Sequence, residues 1–160
     1  LLIKKPQTST EIDEVRRLFR EYEAYLNVDL CFQGFEEELA GLPGNYAPPD
    51  GALLIGLSGN EAVGCVAVRR LDPETCEMKR LFVKPRVRRS GLGRRLAQEI
   101  ISAAQALGYS LMRLDTLDKL SEAIRLYESL GFKRTGPYYA NPLPGVLYWE
   151  LDLTQDINGQ

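Results

Sequence analysis

The sequence predicts an α/β (α+β) fold: a mixed, mostly antiparallel central sheet with one parallel β-α-β pair and flanking helices. Three observations predict it. Between residues 52 and 83, apolar runs rich in Val, Leu and Ala alternate with tight-turn residues. A helical pattern separates the strand-like runs 78–83 and 111–116, and a strand-helix-strand crossover makes its two strands parallel. Two further strand-like runs close the chain, and in the last Leu147, Trp149, Leu151 and Leu153 alternate on one face. At 160 residues, one domain spanning 1–160 is expected, large enough to bury a core.

Each element has a local reason. Residues 2–5 are a candidate first strand. Ser9 or Thr10 is positioned to cap a helix running to about Leu26, with Glu11, Asp13 and Glu14 in an acidic first turn that suits the helix dipole. A short helix is expected over 35–40. Residues 41–51 must be loop, given Pro43, Pro48 and Pro49 among four glycine and asparagine breakers. Strands over 52–57, 62–71 and 75–83 are joined by Ser58-Gly59-Asn60 and Asp72-Pro73-Glu74, an antiparallel meander. The helix after Gly91 is expected to bury Leu92, Leu96, Ile100, Ala103 and Leu107, and Gly108 ends it. A helix over about 118–130 follows the 111–116 strand and stops at Gly131. Strands near 132–135 and 146–153 flank the loop 136–145.

Composition narrows the function. Hydrophobic residues make up 44% and charged residues 26%, with a net charge of −2, as in ordinary globular proteins. There is no histidine, which excludes histidine triads, histidine bases and histidine metal ligands. Cys31, Cys65 and Cys76 are odd in number and lack Cys-x-x-Cys spacing. That argues against a disulfide framework or a zinc site, so no metal is expected, and it suits a reducing cytoplasmic location. No run has the apolar length of a membrane span. Residues 11–50 hold ten acids against three arginines, whereas residues 79–95 hold eight bases. A basic stripe in an acidic chain points to a small anionic ligand rather than to nucleic acid or a membrane surface.

That stripe lies in the segment from Glu77 to Leu96, EMKRLFVKPRVRRSGLGRRL. A strand leads into a basic loop with Gly91 and Gly93, and an amphipathic helix follows. Glycines allow close backbone approach to an anion, and the helix start adds unpaired N–H donors and a favourable dipole. The segment lacks the Lys-Ser/Thr pair of a P-loop. A dinucleotide fingerprint is approached by Gly91-Leu92-Gly93 with Asp115 downstream, but its third glycine position is Leu96. The third reading is Arg-x-x-Gly-x-Gly, from Arg88, Gly91 and Gly93.

This last pattern resembles the acetyl-CoA pyrophosphate loop of the GNAT superfamily of N-acyltransferases. Glu77, eleven residues before Arg88, resembles the general-base position of several members. The run Ala123-Ile124-Arg125-Leu126-Tyr127-Glu128-Ser129-Leu130-Gly131-Phe132 is similar to the A-x-x-L-Y-x-x-x-G-F signature of the same superfamily. The resemblance covers roughly residues 60–153. It departs where many members carry asparagine, a position held here by Leu120.

The resemblance implies parallel strands that splay apart, with backbone at Leu81, Phe82 and Val83 facing the pantetheine arm and Arg88, Arg89, Ser90, Gly91, Leu92, Gly93 and Arg94 cradling the pyrophosphate. It implies Glu77 as base and Tyr127 as the acid beside the sulfur. The residues alone leave other readings open. Glu77 is equally a strand carboxylate paired with Lys79 or Arg80, and Tyr127 equally a core tyrosine. Arg80, three residues after Glu77, belongs on the opposite face of a regular strand, as a surface cation or a contact for a substrate carboxylate. Tyr138, Tyr139 and Asn141 lie in a proline-bounded loop suited to wall an acceptor pocket. The expected function is transfer of the acetyl group of acetyl-CoA to a primary amine of a small molecule, by direct attack in a ternary complex. A protein lysine or N-terminal amine acceptor, a non-catalytic acyl-CoA sensor, a nucleotide binder and a homodimeric state stay open.

Overall fold

The structure, a computed structural model, describes residues 1–30 and 33–154. Cys31 lies outside the described residues. The elements are β1 (Leu2–Lys4), α1 (Ser9–Leu26), α2 (Phe35–Ala40), β2 (Ala52–Ser58), β3 (Glu61–Arg70), β4 (Thr75–Val83), α3 (Leu92–Ala106), β5 (Leu111–Leu117), α4 (Ser121–Ser129), β6 (Lys133–Thr135) and β7 (Val146–Asp152). Seven strands form one sheet in the order β1-β2-β3-β4-β5-β7-β6, antiparallel except for the β4–β5 pair. The mixed architecture and the crossover expected from the sequence are both present.

Local chemistry sets the helix ends. Thr8, rather than Ser9 or Thr10, caps α1: its hydroxyl accepts from Glu11 N at 3.1 Å, and the Glu11 carboxylate accepts from Thr8 N at 3.2 Å. Only the Thr8 frame places a glutamate three residues on, so only it closes this reciprocal pair. On α3, Leu92, Leu96 and Ile100 are buried as the spacing predicts, but Leu107 is exposed. The helix stops at Ala106, and its inner stripe is completed by Ala97, Ile101 and Ala104.

Two apolar layers cover the sheet. One packs α3 and α4 against Val66, Met78, Met112, Trp149 and Leu151. The other packs α1 and α2 against Ile55, Cys65, Ala67 and Phe82. Burial at this scale supplies the main driving force for the fold.

Two irregularities in β4 shape everything that follows. β4 pairs with β5 only at Thr75↔Leu111, Cys76↔Met112 and Glu77↔Arg113. Beyond Glu77 the two parallel strands part, and the edge of β4 toward β5 is left without a ladder. β4 also bulges against β3: Ala67 faces Lys79, but Cys65 faces Phe82, so one extra residue is inserted. Arg80 sits at that point with φ of 62°. Such a bulge reverses the inward and outward alternation beyond it.

Candidate active site

A cleft of about 630 Å³ runs through the split between β4 and β5. Its walls come from Leu81, Phe82 and Val83 on β4, from Asp115 and Thr116 on β5, and from the starts of α3 and α4. Tyr22 and Tyr25 of α1 close it from the other side. The volume is that of an ordinary ligand site.

One end of the cleft is the basic loop. Gly91 caps α3 with φ of 86°, a conformation that only glycine adopts without strain. No side chain caps the helix, and the first ladder bond is Arg95 N to Gly91 O at 3.1 Å. The N–H groups of Gly93 and Arg94, two residues that line the cleft, therefore have no partner among the described residues. Gly93 lines the cleft, and a Cβ there would stand 3.7 Å from Val83, an ordinary contact. Arg88, Arg89 and Arg94 line the same end. Arg88 is fixed in place, donating from Nε to Val83 O at 3.1 Å and stacking 4.2 Å above the Tyr25 ring. Ser90 lies between the lining residues Arg89 and Gly91. It does not line the cleft; its hydroxyl accepts from Leu92 N at 3.3 Å. Leu120 stands at the N-cap of α4 without a capping bond and forms apolar wall.

The other end is the floor of the split. Tyr127 lines it, is 7% exposed, and packs edge-on to Phe132 at 5.7 Å. Its hydroxyl has no partner among the described residues. Burial pushes its phenol well above the usual range, so it stays protonated and is a weaker acid than a free phenol. Tyr22 is pushed up to about 12, again by burial. Asp115 and Tyr22 line the cleft and also two small pockets at the floor of the split.

The loop after β6 meets both carboxylates of the parallel pair. Tyr138 donates to Glu77 Oε2 at 2.6 Å, and Tyr139 donates to Asp115 Oδ2. Asn141 Nδ2 donates to the same Asp115 oxygen at 3.1 Å and to Tyr139 Oη at 2.7 Å. Tyr148 completes an aromatic cluster, with ring centroids 5.4 Å from Tyr138 and 5.8 Å from Tyr139. Burial raises both loop phenols, and the neighbouring carboxylates raise them further.

Glu77 does not sit as expected. It is 1% exposed and lines none of the cavities described here. Its Oε1 accepts from Arg69 Nε at 2.8 Å, and its Oε2 from Tyr138. By contrast, no donor among the described residues reaches Oδ1 of Asp115. Arg80 is no surface cation. The bulge turns it onto the face of Glu77, where it is 4% exposed and grips Glu38 in a two-pronged pair at 2.8 and 3.0 Å. Burial opposes ionisation of Glu38, but the Arg80 bonds outweigh it and hold the carboxyl below its usual range. Tyr22, Asp115 and Glu38 are the site residues missed from the sequence. Asp115 was marked in the sequence only as the acid downstream of Gly91-Leu92-Gly93 in the dinucleotide reading, and Tyr22 and Glu38 lay in helices with nothing to mark them.

A second cavity, of about 400 Å³, opens on the α2 side of the sheet. Gln33, Tyr46, Arg69, Lys79 and Tyr139 are among its walls. Among the described residues, no group of three or more His, Cys, Asp or Glu is placed to hold a metal ion, and no helix is long and apolar enough to cross a membrane.

Comparison with known proteins decides the family. The family model described as Acetyltransferase (GNAT) family matches residues 12–132. The chain belongs to the GNAT acetyltransferase family. An uncharacterized N-acetyltransferase of Schizosaccharomyces pombe is 45% identical over 155 residues, covering 96% of this chain and 93% of that protein. The crystal structure of an acetyltransferase from Streptococcus agalactiae shares the fold with a TM-score of 0.80 at 23% identity, over 94% of this chain and 97% of that one. A GNAT family acetyltransferase from Elizabethkingia anophelis, solved with acetyl-CoA bound, aligns over 64% of this chain and 76% of its own, with a TM-score of 0.56 at 23% identity. Within this GNAT chain, the split strands and the glycine-capped helix belong to one continuous cleft.

Proposed function

We propose that the protein transfers the acetyl group of acetyl-CoA to the primary amine of a small molecule, by direct attack while both are bound. The observation that carries this is the continuity of the cleft. It joins an uncapped, basic helix start at one end to Asp115 and Tyr127 at the other, across strands that have parted. The residues present fit acetyl-CoA. The free N–H groups of Gly93 and Arg94, with Arg89 beside them, suit a pyrophosphate. The unladdered edge of β4 at Leu81, Phe82 and Val83 offers backbone groups to an extended amide-bearing arm. Acetyl-CoA supplies a thioester: a C–N bond forms to the amine, the C–S bond breaks, and CoA leaves as its thiol.

The chain's own part is positioning and proton handling. An amine attacks only when neutral, so a carboxylate near the split must hold or remove its proton. Asp115 fits that task better than Glu77, since it faces the cleft with one oxygen free. Glu77 acts one step back, holding Tyr138 and Arg69. Tyr127, kept protonated by burial, donates a hydrogen bond to the departing sulfur. Lys79, Gln33 and Tyr139 place the acceptor on the α2 side, opposite the cofactor cleft.

Titration calorimetry with acetyl-CoA, CoA and NAD, followed by thiol release over a panel of amines, tests the reading. Tight acetyl-CoA binding with turnover of at least one small amine is expected. Acetyl-CoA binding with no turnover of any amine would leave a sensor domain instead.

A further inference from the structure

We propose that the acceptor is an amino acid, a small amine that also carries a carboxylate, and that Lys79 and Arg69 form the seat of that carboxylate. The inference rests on the acyl-transfer reading above and adds the substrate class. Its basis is the wall between the 400 Å³ cavity and the split. Lys79 lies on that wall, lining both the cavity and the small pocket at the floor of the split.

Lys79 is a buried cation with too few partners. Its side chain is 9% exposed. It donates to Gln33 Oε1 at 3.1 Å, while the nearest Glu77 oxygen stands at 3.9 Å, beyond hydrogen-bond reach. An ammonium has three donors, so two find no partner among the described residues. Burial, and then the charge of Arg80, disfavour the ammonium. Arg69 adds to the excess. Its Nε is spent on Glu77, but its terminal amino groups bond nothing among the described residues, and it lines the same cavity.

The anions nearby are already committed. Glu38 gives both oxygens to Arg80 and accepts from Tyr46 at 2.9 Å. Glu77 gives its two oxygens to Arg69 and Tyr138. Glu37 is exposed at the rim. The inner wall therefore presents unfilled donors on Lys79 and Arg69, which a ligand carboxylate satisfies with two acceptor oxygens.

The same geometry orients the other end of the ligand. Asp115 faces the small pocket that Lys79 also faces, and its charge is felt at Lys79. A zwitterion sets its carboxylate toward Lys79 and its ammonium toward Asp115. A plain alkylamine would leave the free donors of Lys79 and Arg69 unfilled. Lys79 is thus a specificity-determining residue, not a proton carrier.

Thiol release should be measured with common α-amino acids and β-alanine, each against its own carboxamide. The carboxamide keeps the size and has the less basic amine, so intrinsic reactivity favours it. Loss of one or two charge-assisted bonds is expected to make kcat/KM for the acid about 10-fold to 10²-fold higher than for the amide. Lys79→Met should raise KM for the acid by about the same factor, erase the preference for acid over amide, and leave acetyl-CoA affinity by calorimetry unchanged. Equal rates for acid and amide in the wild type would overturn the inference, as would a folded Lys79→Met protein that keeps the preference. Turnover confined to amines without a carboxylate would overturn it while upholding acyl transfer. No turnover of any amine would remove the reading beneath it. If Lys79→Met does not fold, the wild-type ratio decides alone.

Discussion

Removing one carboxylate at a time separates the group that meets the amine from the group that holds the frame. Asp115→Asn is nearly isosteric, and the asparagine oxygen still accepts from Tyr139 and Asn141. The stability loss should be about 1 kcal/mol, or about 3 °C in melting temperature. What disappears is the negative charge facing the split. kcat/KM for the best amine should fall about 10²-fold or more, and the residual rate should climb with pH as more amine is neutral in solution. Glu77→Gln should show the opposite balance. Glu77 is buried with both oxygens engaged, so its amide must turn a donor toward Arg69 or Tyr138. Breaking a buried ion pair costs about 3–5 kcal/mol. The Arg69 side chain is 36% exposed, so water recovers part of that. About 2 kcal/mol, or about 6 °C, remains, with activity within about 10-fold of wild type. Thermal melts, acetyl-CoA calorimetry and thiol release against pH on the same three proteins give all the numbers needed. A stable Glu77→Gln protein that has lost about 10²-fold in kcat/KM, beside an Asp115→Asn protein of normal activity, would refute the assignment.

Three further outcomes follow from the geometry. Gly93→Val should keep the fold, since its Cβ would meet Val83 at an ordinary 3.7 Å, yet weaken CoA binding about 10-fold to 10²-fold by crowding the anion site; unchanged calorimetric affinity would count against the pyrophosphate placement. Tyr127→Phe removes a hydroxyl without a described protein partner, so melting temperature and acetyl-CoA affinity should hold while kcat falls about 10-fold to 10²-fold, and an unchanged kcat would make Tyr127 packing only. Glu38→Gln leaves the Arg80 guanidinium buried and half-paired, which should cost about 3 kcal/mol near neutral pH. Because the Glu38 carboxyl is held below its usual 4.5, its contribution is complete above about that pH and is lost as pH falls through the folded-state value. Melting temperature followed from pH 6 downward should therefore drop more steeply in wild type than in Glu38→Gln, and parallel curves would argue against the pair.

The sequence by itself determined the elements and the basic, glycine-capped end of the cleft, because both are local. Strand alternation, helix stripes and turn residues act over a few positions, so most observed elements fall within a few residues of the expected ranges. Gly91 must adopt a positive φ to cap α3, and that requirement is written in its own residue type. Only tertiary structure decided what surrounds Glu77 and Asp115. One inserted residue at Arg80 reverses the facing of the rest of β4, so a regular count puts Arg80 on the face opposite Glu77 when it is in fact on the same face, buried against Glu38. Tyr138 reaches Glu77 across 61 positions and Tyr139 reaches Asp115 across 24, and no local pattern encodes such pairings. Which carboxylate is spent on an ion pair and which keeps an oxygen free depends on where the strands part after Glu77 and on what the distant loop brings to them. Burial and hydrogen-bond satisfaction are properties of the packed chain, and no sequence window carries them.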